Sequence, residues 1–513
     1  MPDLPFVRPL GLAILSLLTA APAAAELQPP NVVFIIADDL GYGDLGCFGS
    51  SKIDTPHIDA IAERGMKLTA HYAGNAVCAP SRYVLMTGLH PGRSEVRSNR
   101  EIQPEGQWPI DDATITLAER FASHGYVCGA FGKWGLGGPD THGEPLAQGF
   151  DRFFGYNCQR IAHNFYPIAL WSDRERVGLQ NPSFSAYGKL GPNEDPSDPA
   201  SYERFRGPDY SADLIAEQAV AFVEKNAGTP FFLFHPTTIP HLALQAPADA
   251  VARYADAPER ASDYGDDPPY PGGRGYTPAF APHATYAAMV SRMDDHVGQI
   301  VAALEANGVL DNTYIVFTSD NGPAAQGSAG TDSDWFGSRG QVNGQTLRGY
   351  KGELYEGGIR VPTVVAGPGI EPGSESDRIT GFEDWTPTLL ELVGGADWST
   401  DLRSHVGDLD GVSFAPTLRG TEQSPRPPLY REFAGYGGQQ AVWDGRWKAY
   451  RGKLSKQKPS EQPRDWELYD LSADPGETTD VAADHPDVVG RIDAFAADEH
   501  QPSDVFPIRV LDR

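Results

Sequence analysis

The chain has 513 residues, 40% of them hydrophobic, and carries 41 Lys and Arg against 69 Asp and Glu, for a formal net charge of −28. Such a chain can bury one large core or two unequal ones, which fits a globular enzyme and excludes a low-complexity or disordered protein. The negative field argues against nucleic acid as a partner, and an anionic ligand would have to be held by a few cations gathered in one pocket.

Residues 1–25 hold one cation, Arg8, then an apolar run from Leu10 to Leu18, then small residues from Ala20 to Ala25. The run is shorter than the roughly 20 residues of a membrane span, and Ala23-Ala24-Ala25 before Glu26 fits a cleavage site. A secretory leader is therefore expected, with a periplasmic or secreted mature chain and no stable membrane anchor. Cys47, Cys78, Cys128 and Cys158 are few for a secreted protein stapled by disulfides, and leave room for one bridged pair that the sequence does not identify.

Asn31 to Ala37 is a continuous apolar, β-branched run ending in Asp38-Asp39, as expected of a central parallel strand buried on both faces. Further strands are expected at Tyr126 to Phe131, Phe231 to His235, Tyr314 to Thr318 and Pro362 to Ala366, with helices at Ser211 to Lys225 and Tyr286 to Asn307. The alternation predicts a doubly wound, mostly parallel α/β sheet flanked by helices over residues 26–424. Residues 181–208 and 255–282, rich in Pro, Gly, Asp and Tyr, read as long loops. From 425 to 513 short strands at Gln440 to Arg451 and Glu467 to Leu471, then a helix at Val488 to Ala497, predict a small α+β subdomain.

Ligands in open α/β sheets sit at the carboxyl ends of the strands. There Asp38, Asp39, Asp320 and Asn321 offer four hard oxygen ligands from two strand ends, which suits calcium or magnesium. The most informative stretch is Cys78-Ala79-Pro80-Ser81-Arg82, followed by Thr87-Gly88. Its four-residue pattern of Cys, Pro, Ser and Arg should arise by chance in on the order of one in a thousand chains of this length.

That stretch resembles the signature of the type I sulfatases of the alkaline-phosphatase superfamily. The resemblance extends to Asp38-Asp39, to Gly132 through Gly137, to Pro240-His241 and to Ser319 through Gly322. It also takes in Lys351, Glu356 through Pro362 and Glu467 through Leu471, in matching order and spacing. The flavour of residues 99–109 and 150–167 is similar to the galactosamine-6-sulfatase and arylsulfatase-like branch.

The resemblance implies that a formylglycine-generating enzyme oxidises Cys78 to formylglycine. It also implies one calcium ion on Asp38, Asp39, Asp320 and Asn321, with Arg82, Lys133 and Lys351 around the sulfate group and His241 protonating the leaving oxygen. One hydroxyl of the hydrated aldehyde would attack sulfur while Asp320 takes its proton, and the second would expel sulfate. Many relatives read Gly-Lys-Trp-His where this chain has Gly135, so another base is expected to assist the second step, with His163 as the candidate and His142 behind it.

The substrate expected is a sulfated carbohydrate of the galactose or N-acetylgalactosamine type. A promiscuous arylsulfatase and a phosphonate or phosphate monoesterase are the alternatives, along with an inactive glycan-binding protein if Cys78 is never oxidised. A two-zinc phosphatase is disfavoured on the expectation that no histidine clusters with the strand-end aspartates.

Overall fold

The apolar run Asn31–Ala37 forms a strand buried along its whole length, because the chain packs a layer against each of its faces. The computed structural model describes residues 28–273, 275–394 and 409–512, together with Met1. Apart from Met1, the leader expected over residues 1–25 lies outside the described residues. No helix among the described residues is long and apolar enough to cross a membrane.

Ten strands form one sheet in the order Ser374–Ser376, Met66–Leu68, Thr363–Ala366, Thr313–Ser319, Asn31–Ala37, Phe231–Pro236, Val127–Lys133, Arg152–Tyr156, Ala169–Ser172, Glu175–Gly178. The run from Thr313–Ser319 to Arg152–Tyr156 is parallel. Thr363–Ala366 pairs antiparallel, as do the last two strands, so the sheet is mixed at both margins. Strand periodicity divides the core in two. Val32, Phe34 and Ile36 point to one side with Phe232, Phe234 and Val316, while Val33 and Ile35 point to the other with Leu233, Ile315 and Phe317. Each such side chain contributes about 1.5–3 kcal/mol on burial.

Helices Ser211–Asn226 and Pro282–Ala306 cover the second face, and Cys78–Thr87 and Leu117–Ser123 the first. The Leu117–Ser123 helix opens with a capping box between Thr116 and Glu119, and Cys78–Thr87 ends on Gly88 at φ +71°, the left-handed conformation that glycine adopts without strain.

A second, antiparallel sheet joins Leu429–Phe433, Gln439–Asp444, Trp447–Gly452 and Glu467–Asp470. The stretch read as one strand-like piece from Gln440 to Arg451 is thus a hairpin, turned at Gly445 with φ +61°. Helix Pro486–Glu499 covers one face of this sheet through Val488, Ile492 and Ala496. The other face, with Leu429, Phe433, Ala441 and Trp443, joins the core of the large sheet. Buried Glu356 ties the two together, accepting from Tyr72 Oη at 2.9 Å, Trp443 Nε1 at 2.9 Å and Lys448 Nζ at 3.0 Å.

All four cysteines are free thiols, so the single bridge allowed for in the sequence does not form. Cys78 and Cys128 are buried on separate elements and Cys158 in a loop, and burial in the large core makes a disulfide unnecessary for its stability.

Candidate active site

Register assembles the site. Ala37 pairs with Ser319, so the next residues, Asp38 and Asp320, emerge side by side at the carboxyl edge of the sheet. Asp320 N donates to the Ala37 carbonyl at 3.0 Å and Asp39 N to Asp320 Oδ1 at 3.2 Å. Asp39 adopts φ +67°, rare for a residue other than glycine and a form of local strain common at functional sites. His241 follows the adjacent strand Phe231–Pro236, and Lys133 ends the strand beyond it, Val127–Lys133.

Cys78 is the first residue of its helix, where unpaired backbone N–H groups and the helix dipole favour negative charge. Its thiol donates to Asp38 Oδ1 at 3.5 Å and accepts from Lys133 Nζ at 3.4 Å and Lys351 Nζ at 3.5 Å. Each lysine is also anchored to a carboxylate, Lys133 to Asp38 Oδ2 at 2.5 Å and Lys351 to Asp39 Oδ2 at 2.8 Å. Arg82, one turn into the helix, donates from Nε and Nη2 to Asp320 Oδ2 at 3.1 and 2.8 Å and from Nη1 to the Lys133 carbonyl.

The charges share one buried volume, and their balance differs from acid to acid. Burial alone would raise Asp38, but Lys133, His241, Arg82 and Lys351 hold it well below the usual carboxylate range. Burial and the neighbouring Asp38 push Asp320 up to about 6 against the pull of Arg82. The Cys78 thiol is pushed up to about 12 by burial, despite the two lysines, so the unmodified side chain is a neutral thiol at neutral pH.

His241 Nε2 lies 3.5 Å from Asp39 Oδ2, while its Nδ1 meets the Leu242 carbonyl. The His163 ring stacks on it at 4.2 Å between centroids, and His163 Nδ1 pairs with Tyr187 Oη at 2.7 Å. Burial and the nearby cations lower both histidines well below the ordinary value. The structure thus brings together Cys78, Arg82, Lys133, Lys351, Asp38, Asp39, Asp320, Asn321 and His241, with His163 behind His241. His142 lies apart, lining a cleft with Trp108, Pro109 and Gln501.

One expectation needs correction. A histidine does cluster with the strand-end aspartates: atoms of Asp38, Asp39, Cys78 and His241 all lie within 4.8 Å of one another. The Phe231–Pro236 strand is the direct neighbour of Asn31–Ala37, which delivers His241 to the same edge. Of the carboxylates, Asp38 accepts from the Cys78 thiol, while Asp320 accepts from Arg82 and the Asp39 backbone N–H. Sequence reasoning also missed Gln159, whose side chain fills the space beside Gly135: a Cβ built there would stand 2.6 Å from Gln159 Nε2. Its position shortly before His163 was the available signal.

The donor set fits a hard divalent cation. Asn321 Nδ2 donates to Asp39 Oδ1 at 2.8 Å and to the Gly322 carbonyl at 2.9 Å, leaving Asn321 Oδ1 buried with no hydrogen-bond partner. A stranded amide oxygen beside three buried carboxylates is what an oxygen-seeking cation satisfies.

Residues 30–396 match the sulfatase family, and residues 350–491 match the C-terminal region of N-sulphoglucosamine sulphohydrolase. The chain is 31% identical to human arylsulfatase A, over 90% of this chain and 85% of that protein. It is 28% identical to an N-acetylgalactosamine-6-O-sulfatase of Bacteroides thetaiotaomicron, over 90% and 91%. A solved Bacteroides thetaiotaomicron structure from work on the metabolism of multiple glycosaminoglycans superimposes with a TM-score of 0.68 at 26% identity, over 91% of this chain and 98% of that one. Ps i-CgsB, solved in complex with k-i-k-neocarrahexaose, shares the fold with a TM-score of 0.70 at 24% identity, over 93% and 94%. A sulfatase-family match across most of the chain, together with the acid, cation and cysteine cluster at its sheet edge, makes this chain a member of the sulfatase family, a sulfuric ester hydrolase of the arylsulfatase and N-acetylgalactosamine-6-sulfatase-like branch.

Proposed function

We propose that the chain removes sulfate from a sulfated carbohydrate of the galactose or N-acetylgalactosamine type, using Cys78 converted to formylglycine by a generating enzyme, and that it works after export to the periplasm or beyond. The observation that carries the proposal is the convergence of Asp38, Lys133 and Lys351 on one buried sulfur, each within 3.5 Å. The sulfur stands where the formylglycine oxygen would. Hydrated formylglycine supplies two hydroxyls on one carbon, so that one residue can take up the sulfuryl group and also let it go. Calcium, on Asp38, Asp39, Asp320 and Asn321, would supply positive charge against a sulfate oxygen.

The chain's own residues do the rest. Lys133 and Lys351, each pinned by a carboxylate, hold their amines beside position 78, where nonbridging oxygens gather charge. Arg82 is fixed at three points and cannot swing away. His241 turns Nε2 into the site, and a leaving oxygen that gathers negative charge favours the protonated ring that delivers a proton from that atom. Asp320 is our candidate acceptor for the nucleophile's proton, since Asp38 is surrounded by cations that oppose its protonation. His163, stacked behind His241, is our candidate to assist sulfate release.

Mass spectrometry of the Cys78 peptide from active protein, alongside sulfate release from N-acetylgalactosamine 6-sulfate, tests the proposal. Formylglycine at position 78 and loss of turnover in Cys78→Ser are expected. An unmodified cysteine in active protein, or a phosphonate monoester cleaved faster than every sulfate, would overturn it.

A further inference from the structure

We propose that Tyr436 is a substrate-binding residue, an aromatic plate lent by the C-terminal sheet on which the sugar ring that bears the sulfate stacks. The inference rests on the sulfated-sugar proposal above and adds a residue that the signature motifs do not include.

Tyr436 stands at the tip of the hairpin between Leu429–Phe433 and Gln439–Asp444, in the sequence Ala434-Gly435-Tyr436-Gly437-Gly438. It is 74% exposed and adopts φ +49°, a conformation that a bulky residue rarely takes. Glycine would relieve that strain, as at Gly437 and Gly438 with φ +97° and +74°, yet an aromatic side chain occupies the outermost position. The tip is held rigidly: Gly438 N donates to the Gly435 carbonyl at 3.0 Å, and Leu454 and Ser455 N donate to the Gly438 and Gly437 carbonyls at 3.1 and 2.8 Å. The ring is therefore displayed by a fixed support.

Its location connects it to the site. One edge of the ring lies over Gly352, 3.0 Å from where a Cβ would stand, and Gly352 directly follows Lys351. Gly352 N donates to the Ala76 carbonyl at 2.8 Å, two residues before Cys78. The base of the hairpin is tied to the same segment, because Asn75 Nδ2 donates to the Glu432 carbonyl at 2.9 Å. Gly435 packs against Ser98, beside Asn99, whose Oδ1 accepts from Ala79 N at 3.0 Å. Tyr436 thus rests on the residue that follows Lys351, and its hairpin is tied to the segment leading into the Cys78 helix as well as to Leu454 and Ser455, so the proposal sets the plate at the rim of the site. An aromatic ring there suits the C–H face of a sugar, because the negative face of its quadrupole attracts the weakly positive C–H hydrogens.

Calorimetric binding of N-acetylgalactosamine 6-sulfate and of inorganic sulfate, which has no ring, to the full chain and its Tyr436 variants tests the proposal. Tyr436→Ala should weaken saccharide binding relative to sulfate by roughly three- to tenfold, the range expected of one aromatic stack, and Tyr436→Trp should keep it. A saccharide-to-sulfate affinity ratio unaltered in Tyr436→Ala, or equal losses for both ligands, would overturn the proposal. Failure of the sulfated-sugar proposal has a separate signature, the absence of sulfate release by the wild-type chain.

Discussion

Gly135 and Gln159 compete for one space: a Cβ at position 135 would lie 2.6 Å from Gln159 Nε2 and 2.9 Å from its Cγ. Gly135 also has φ +78°, where a side chain is strained by about 1–2 kcal/mol. The Gln159 amide is buried with both polar atoms unpartnered, so nothing but packing holds it there. Gly135→Ala should destabilise the chain by roughly 2–4 kcal/mol, from backbone strain together with overpacking. Adding Gln159→Ala should recover the packing part and leave the strain. Denaturant unfolding of the two single variants and the double variant measures the coupling, and simple additivity would show that the residues do not compete.

Asn321 Oδ1, buried and unpartnered between Asp39 and Asp320, gives the metal proposal its sharpest test. Calcium at about a hundredfold its dissociation constant should stabilise the stripped protein by about 2.7 kcal/mol, and zinc by less. Asn321→Ala should reduce that calcium-dependent rise in Tm. Equal thermal unfolding of the stripped wild type with and without calcium would remove the assignment for all four ligands.

What could be read in advance follows from what leaves a local pattern. The run at residues 31–37 and the helix at 211 were legible because burial on both faces and amphipathic spacing are written in consecutive residues. Glu175–Gly178 was not, since every residue of that edge strand is exposed and only main-chain pairing with Ala169–Ser172 defines it. The antiparallel direction of Thr363–Ala366 was equally hidden, because an apolar run looks the same in either direction. Within the site, Asp38-Asp39 and Asp320-Asn321 stood out as strand ends. Lys351 reaches Asp39 across 312 residues of chain, and only the motif resemblance singled it out. Gln159 acts through volume and Tyr436 through placement, neither of which leaves a spacing to read.

His71 makes the fold sensitive to acid. Burial pushes its imidazole down to about 3, with Glu383 opposing and Arg431 and Arg426 assisting. The ring is filled on both sides, as Trp385 Nε1 donates to Nε2 at 3.1 Å and Nδ1 meets Thr380 Oγ1 at 2.8 Å. A second proton would face the Trp385 N–H. The unfolded chain, with an ordinary histidine near 6.5, takes up that proton first, so stability is full above about pH 6.5 and falls by about 1.4 kcal/mol per unit below it. Buried His235, pushed down to about 4, adds to the same slope. Chemical unfolding of the wild type and His71→Gln between pH 7 and 5 should give a shallower slope for the variant, and identical slopes would refute the assignment.

Charge at long and short range should act on catalysis in opposite senses. The chain carries a formal charge of −28, so a sulfated substrate meets a repulsive field during approach, and added salt shortens the distance over which that field acts. The cations that meet the substrate at the end of its path are shielded from salt: Arg82 and Lys133 are fully buried, and Lys351 is 15% exposed. Moderate salt should therefore raise kcat/KM, more for a polysulfated than for a monosulfated saccharide, while kcat changes little. Lys351→Met removes a contact made inside the site and should lower kcat/KM on the order of a hundredfold or more at every salt concentration. The control is an exposed lysine such as Lys453 or Lys456, whose replacement should have little effect. If kcat/KM falls steadily with salt for both substrates, approach is driven by attraction, and a local basic surface rather than the net charge governs encounter.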